Sequence, residues 1–488
     1  MNTKLILSLG TIMVFAGCPN KNPTVTAPPV EVTTPQPRPM PESLPTPEFK
    51  APETETRTLS NGIQVVVATN SEVPLWDVRI AFNVGSHVDP DKKAGLAEIT
   101  FSMMNEGAGS RSSEDISREL KAMASSVSAN AGSDGASVSA SGIKRNIEPT
   151  LDIWADMIKS PTFPTKEWDI KKPQWLAKLK NARKAPSSIA GRVYNNLIYG
   201  DTYRGRIQME ADYNRIQTKD MKTFHNNWIG PANAIIIAGG DITADELVPM
   251  LEARLGSWAP KRVKSPEINV ETSMSDTARI YFVDSPGAAQ SILRTLTRIE
   301  NRTHEDYFSM KMAIQILGGS FMSRVNMNLR EDKGYSYGAR CYDVHRYGPS
   351  IGMCNTSVQT AVTIPAMNEL KKELTEFVGD RPGTEKEMTY MKSSLINQYP
   401  AKFETTGSLL NEQVMIWRYG LPEDWSERFL PGIENASLKT SNEAFANQWP
   451  IDRTIWLVVG DKATIWDDLQ GFGLEIIEID TDGKPLGD

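Results

Sequence analysis

The sequence is poor in the residues that hold metals. Its 488 residues include four histidines, His87, His225, His304 and His345, and no two lie within five positions of each other. No H-x-x-E-H, H-E-x-x-H or H-x-H pair can be written, so no single helix presents two imidazoles to one ion. Three cysteines, Cys18, Cys341 and Cys354, are too few for a thiolate zinc cluster. An excess of positive charge is also missing: the net charge is −7. That argues against nucleic-acid binding, which needs a basic surface to displace counterions. The N-terminal apolar run, Leu5 to Phe15, is too short to span a bilayer comfortably.

What is present begins with a targeting segment. Lys4 precedes the apolar run, and Val14-Phe15-Ala16-Gly17-Cys18 follows. The segment resembles a bacterial lipoprotein signal, which would make 1–17 a signal peptide and Cys18 the lipidated first residue. An ordinary secretory signal is the alternative. Pro19 after the cysteine, where Asp would retain the protein, points to an outer-membrane anchor facing the periplasm. Residues 18–50 are rich in Pro and Thr and cannot bury a core, so they read as an extended tether.

The folded part starts near Thr56. Trp76, Val78, Ile80 and Phe82 alternate on one face of a strand. A helix over 94–105 follows, and a hairpin of small residues turns at Ser133-Asp134-Gly135. Further helices fall over 147–159, 165–184 and 186–198. A buried strand over 234–238 precedes a helix over 244–254, opened by Thr243 with Glu246. The second half repeats this order. Pro365 answers Pro149, Tyr419-Gly420 answers Tyr199-Gly200, and Gly460-Asp461 answers Gly240-Asp241, at offsets of 216, 220 and 220. Thr303 is expected to cap a helix over 304–317. Ser336 to Val344 and Ile351 to Val358 form a second hairpin. The reading is α+β: two homologous domains over 51–258 and 276–488, joined by a linker over 259–275. Each has a largely antiparallel sheet packed by helices.

The run Gly95 to Gly107 has the frame of an inverted zinc-protease helix, with Glu98, Phe101 and Ser102 at its three chemical positions. A second run is longer and more specific. It reads Leu317-Gly318-Gly319-Ser320-Phe321-Met322-Ser323-Arg324, then Leu329-Arg330-Glu331-Asp332-Lys333-Gly334-Tyr335-Ser336-Tyr337. With Asn61-Gly62, Gly95-Leu96-Ala97 and Ala238-Gly239-Gly240-Asp241, these runs make residues 55–488 resemble the pitrilysin/insulinase family of zinc metallopeptidases. The resemblance implies a clamshell of two such domains. It places the two zinc histidines at Glu98 and Ser102, the general base at Phe101, and the distal carboxylate near Ala177-Lys178-Leu179. None of these residues suits its role. A weak metal site built from scattered carboxylates such as Glu98 and Glu106 is the alternative. The resemblance also implies that Arg330 and Tyr337 reach a zinc cleft, bind substrate and stabilise an oxyanion.

The expectation is therefore a non-catalytic subunit with no cofactor of its own. Zinc would sit in an H-x-x-E-H partner, and this chain would supply half a chamber plus Arg330 and Tyr337. The alternatives are a peptide-binding or scaffolding pseudoenzyme of the envelope, or an autonomous hydrolase with an unrecognised site. His87 and His345 lie in or beside turns and read as solvated. Cys341 and Cys354 lie on opposite arms of the second hairpin. In an oxidising envelope they are candidates for a cross-strand disulfide, with two free buried thiols as the alternative.

Overall fold

A computed structural model describes residues 49–259 and 276–487. The expected signal peptide, Cys18, the tether up to residue 48 and the linker from residue 260 lie outside the described residues. The described residues fall within one compact unit.

The first half contains β1 Glu55–Thr58, β2 Gln64–Thr69, β3 Leu75–Phe82, the short pair β4 Gly107–Ala108 and β5 Arg111–Ser112, β6 Ser126–Ala131, β7 Ala136–Ile143 and β8 Ala234–Gly240. The second contains β9 Arg279–Asp284, β10 Gln290–Ile299, β11 Ser336–Val344, β12 Ser350–Gln359, β13 Ile455–Gly460 and β14 Glu475–Glu478. One six-stranded sheet runs β1-β2-β8-β3-β7-β6, and the other, from its far edge, β14-β9-β13-β10-β12-β11. The orders match strand for strand. In both, the first and last long strands pair in parallel, β2 with β8 and β9 with β13. The sheets differ at one edge, where β1 is antiparallel to β2 but β14 is parallel to β9. The repeat read from sequence is thus a repeat of topology.

The alternation in β3 works as its pattern predicts. Trp76, Val78, Ile80 and Phe82 are buried on one face among Ile99, Phe101, Leu151 and Trp154 of the covering helices. The other face explains why the halves cohere. There Ala81, Ile235 and Ile237 pack on Leu410 and Val414, which belong to the second half's Thr406–Tyr419 helix. Reciprocally, Ile189, Val193 and Ile198 of the Pro186–Tyr199 helix cover Leu296, Leu457 and Val459 of the second sheet. Each half lends the other a helix, so neither sheet buries both faces alone.

Three expectations need correction. Thr303 caps no helix: its hydroxyl donates to Asn301 Oδ1 at 2.6 Å in a local turn, and the helix starts at Tyr307 after Asp306. That helix stops being α-helical at Ile314 and continues as a π-helical turn, Gln315–Gly319. Gly318 there lies against the hairpin, where a Cβ would come within 2.4 Å of the Cys341 backbone nitrogen. His87 and His345 are not solvated. His87 is half-buried with Nδ1 2.8 Å from the Ser133 carbonyl. His345 is enclosed between Asp343 and Ser350, with Nε2 2.5 Å from Asp343 Oδ2 and Nδ1 2.9 Å from Ser350 Oγ. Turn composition signalled exposure, but groups from elsewhere in the same half close over each ring, Tyr203 beside His87 and Tyr307 beside His345. Cys341 and Cys354 face each other in the β11–β12 register, and their sulfurs are bonded.

Candidate functional site

The helix Leu96–Met104 begins at Gly95, whose φ of 94° lies in the left-handed region. Gly95 also permits a close approach, since a Cβ there would meet the Tyr213 hydroxyl at 2.9 Å. Asp89 caps the helix from six residues upstream. Its carboxylate accepts from Gly95 N at 2.7 Å and Ala97 N at 2.8 Å. Burial pushes that carboxyl up to about 7, against the pull of the two backbone donors.

The three chemical positions have separate fates. Phe101 is fully buried in the core with its ring 6.2 Å from that of Phe82. Ser102 is half-buried and its carbonyl accepts from Asn105 Nδ2. Glu98 is half-buried, and there Lys178 Nζ donates to Oε1 at 3.4 Å and Gln208 Nε2 to Oε2 at 3.4 Å. Tyr213 donates to Gln208 Oε1 at 2.7 Å and stacks on Trp175, and the Lys178 ammonium lies 4.7 Å over that indole. Burial and the Glu98 carboxylate push the Tyr213 hydroxyl up, so it remains a donor. These five side chains close a ring.

The resemblance placed a distal ligand near Lys178, and the fold does bring Lys178 to Glu98 across 80 residues of sequence. These residues do not fit a zinc ion. Phe101 has no donor atom, Ser102 offers a neutral hydroxyl, and Lys178 brings a like charge. Glu106 is committed elsewhere, to Lys171 at 2.9 Å and Ser113 at 2.8 Å. Among the described residues, no group of three or more His, Cys, Asp or Glu is placed to hold a metal.

Arg330 lies in the π-helical turn Met327–Asp332. It pairs with Glu331 at 3.1 Å, and its guanidinium sits 4.6 Å over the exposed Phe321 ring. Tyr337, in β11 beside a register shift, is 90% exposed. The contacts in this structure join Glu98 to Lys178, and Arg330 to neighbours in its own half. Sequence reasoning missed Asp89, Trp175, Gln208 and Tyr213. Asp89 sits outside the usual capping-box spacing, and the other three meet Glu98 only through the fold.

Two family profiles match the chain. Insulinase (Peptidase family M16) covers residues 64–209, and the Peptidase M16 inactive domain covers 215–395. The chain belongs to peptidase family M16. Among curated M16 relatives it is similar to a Helicobacter pylori protein named non-peptidase homolog YmxG, at 21% identity over 82% of this chain and 92% of the relative. It is also similar to zinc protease PqqE from the same bacterium, at 20% identity over 81% of this chain and 90% of the relative. Among solved structures, a peptidase M16 inactive domain from Pseudomonas fluorescens superposes with a TM-score of 0.77 at 21% identity, covering 84% of this chain and 98% of that one. Its M16 relatives thus include proteins named inactive or non-peptidase, and its own helix carries neither the ligands nor the base of a zinc peptidase.

Proposed function

We propose that this chain is the zinc-less subunit of a heteromeric M16 peptidase. It supplies half of a chamber, together with Arg330 and Tyr337, to a partner that carries an intact H-x-x-E-H and its zinc. The observation that carries the reading is the contrast between two runs. The position that the resemblance assigns to the metal holds the Glu98–Lys178 pair, while Arg330 is partly exposed and Tyr337 has almost its whole side chain free. An Arg fork and a phenol are donors suited to a peptide carbonyl and to the oxyanion it becomes. One bacterium holds both a non-peptidase homologue and a zinc protease similar to this chain, which supports a division of labour between two chains. The Cys341–Cys354 bond suits the oxidising envelope that a lipidated Cys18 would reach.

Co-purification from the native membrane is expected to recover an H-x-x-E-H homologue. In the reconstituted complex, Arg330→Ala and Tyr337→Phe should each lower peptide hydrolysis at least tenfold without releasing zinc. An unchanged rate would sink the proposal. The second reading, a peptide-binding pseudoenzyme, draws on the open edge of β6, which could accept an extended peptide without any partner. Peptide binding by the isolated chain with no M16 partner recovered would favour it.

A further inference from the structure

Beside the Glu98–Lys178 pair lies a cavity of about 380 Å³ between the Thr165–Asn181 and Pro186–Tyr199 helices and the segment from Arg204 to Tyr213. Its lining contains four cationic side chains, Lys178, Arg192, Arg204 and Arg206, and no carboxylate. That is a local reversal in a chain whose net charge is −7. The arginines are held from outside the cavity. Asp482 pairs with Arg192 at 2.8 Å, Asp134 with Arg204 at 3.2 Å, and Asp91 with Arg206 at 2.8 Å, and none of these acids lines the space.

Arg204 is 7% exposed, and its Nε is buried without a hydrogen-bond partner. The guanidinium is turned to Asp134 and the Tyr347 carbonyl, so Arg204 lines the cavity as a fixed charge that is already paired. The stacked Trp175–Tyr213 pair adds an apolar wall, with ring centroids 6.0 Å apart. The volume is at the small end of the roughly 300–1,000 Å³ of small-ligand pockets. It admits a side chain or a chain end, not a folded domain.

We propose that this cavity is a carboxylate subsite, taking an acidic side chain or the C-terminal carboxylate of a bound peptide. Arginine forks and a lysine match two-oxygen anions, and the aromatic wall suits the short stem that carries one. That a peptide delivers the carboxylate rests on the proposed role in a peptidase complex. The site itself rests on the lining.

The test uses the purified full chain and decapeptides labelled with an uncharged BODIPY dye, followed by polarisation. One peptide carries a single Glu with an amidated C-terminus, one has Gln instead, and one has a free C-terminus and no acidic residue. At least one carboxylate-bearing peptide is expected to bind tenfold or more tightly than the neutral one, and which of the two does so identifies the source. Lys178→Met and Arg206→Gln, both at partly exposed positions, should each remove at least fivefold of that preference while circular dichroism stays unchanged. Neutral and acidic peptides binding within twofold of each other would overturn the proposal, as would preferences surviving both substitutions. Inorganic phosphate displacing the peptide at lower concentration than acetate or glutarate would also overturn it. The two proposals fail separately. Loss of the partner, or an inert Arg330→Ala, leaves acid-selective binding by the isolated chain untouched. An active complex without acid preference removes only the subsite.

Discussion

Asp134 is the residue whose removal should cost most for its size. It is 3% exposed, at the turn between β6 and β7. It accepts from Arg204 Nη2 through both oxygens at 3.2 Å, and from the Tyr203 hydroxyl at 3.3 Å. From the second half it accepts from the Tyr419 hydroxyl at 3.3 Å and the Tyr347 backbone nitrogen at 3.5 Å. The first half's hairpin is thereby tied to the second half's turn and helix end. Asp134→Ala leaves Arg204 buried without its counter-charge, a defect that costs about 3–5 kcal/mol. The long tyrosine and amide bonds add little, roughly 0.5 kcal/mol each. With an unfolding entropy of roughly 2.1 cal/mol/K per residue, about 420 described residues melting together give ~0.9 kcal/mol/K, so Tm should fall by about 3–6 °C. Scanning calorimetry measures this directly. It also shows whether the single transition splits in two, which the loss of a tie between halves would favour. Arg204→Met added to Asp134→Ala removes the stranded charge and should recover at least half of the loss. A single-mutant shift below 1 °C, or a double mutant that is merely additive, would refute the idea that Asp134 works by neutralising Arg204.

Grafting Glu98→His, Phe101→Glu, Ser102→His and Lys178→Glu together should raise bound zinc from background toward one per chain by elemental analysis. A content that stays at background would show that Lys178 does not occupy the distal ligand position. Asp89 titrates near 7 in the fold against 3.8 unfolded, so the native state holds the extra proton between those values. Stability from this group is full below about 4, is lost as pH rises toward 7, and levels above it, with an upper bound of ~4 kcal/mol. The Tm difference between wild type and Asp89→Asn should change across that window, and a pH-independent difference would exclude it. Taking the difference also removes His345, whose lowered pKa works the other way as pH falls below 6.5. Replacing Cys341 and Cys354 with alanine opens a loop with a sequence separation of 13, worth about 3 kcal/mol. A Tm drop of roughly 3 °C, reproduced by reductant on the wild type, checks it.

Much of the fold was legible because the chain states it twice. Proline and glycine marks recurring about 220 positions apart survive in topology, down to the helices Pro186–Tyr199 and Thr406–Tyr419. What those helices cover was not legible. Their apolar faces say that each is buried, but nothing local says that each is buried on the opposite sheet. Contacts distant in sequence, though within one half, explain the histidines. His345 sits beside a turn, yet Asp343 and Lys311 join it in a buried cluster. Burial pushes the Asp343 carboxyl up, but Lys311 and His345 more than offset it and leave it well below the usual carboxylate range.

The position that the resemblance assigns to the metal shows where reading residues one at a time stops. Four substitutions looked like simple loss, which would leave Glu98 an unpaired carboxylate. Instead Lys178 and Gln208 satisfy both its oxygens, and Tyr213 and Trp175 fix those two in turn. The ion pair adds little stability, since Lys178 is 69% exposed and such pairs contribute at most ~1 kcal/mol. Stability therefore does not explain the arrangement. Its chemistry is cationic: where the resemblance expects a carboxylate ligand stands an ammonium group, next to a cavity lined only by positive and neutral side chains. Under the proposed function, a peptide entering this half meets fixed charge, and the hydrolytic water belongs to the partner.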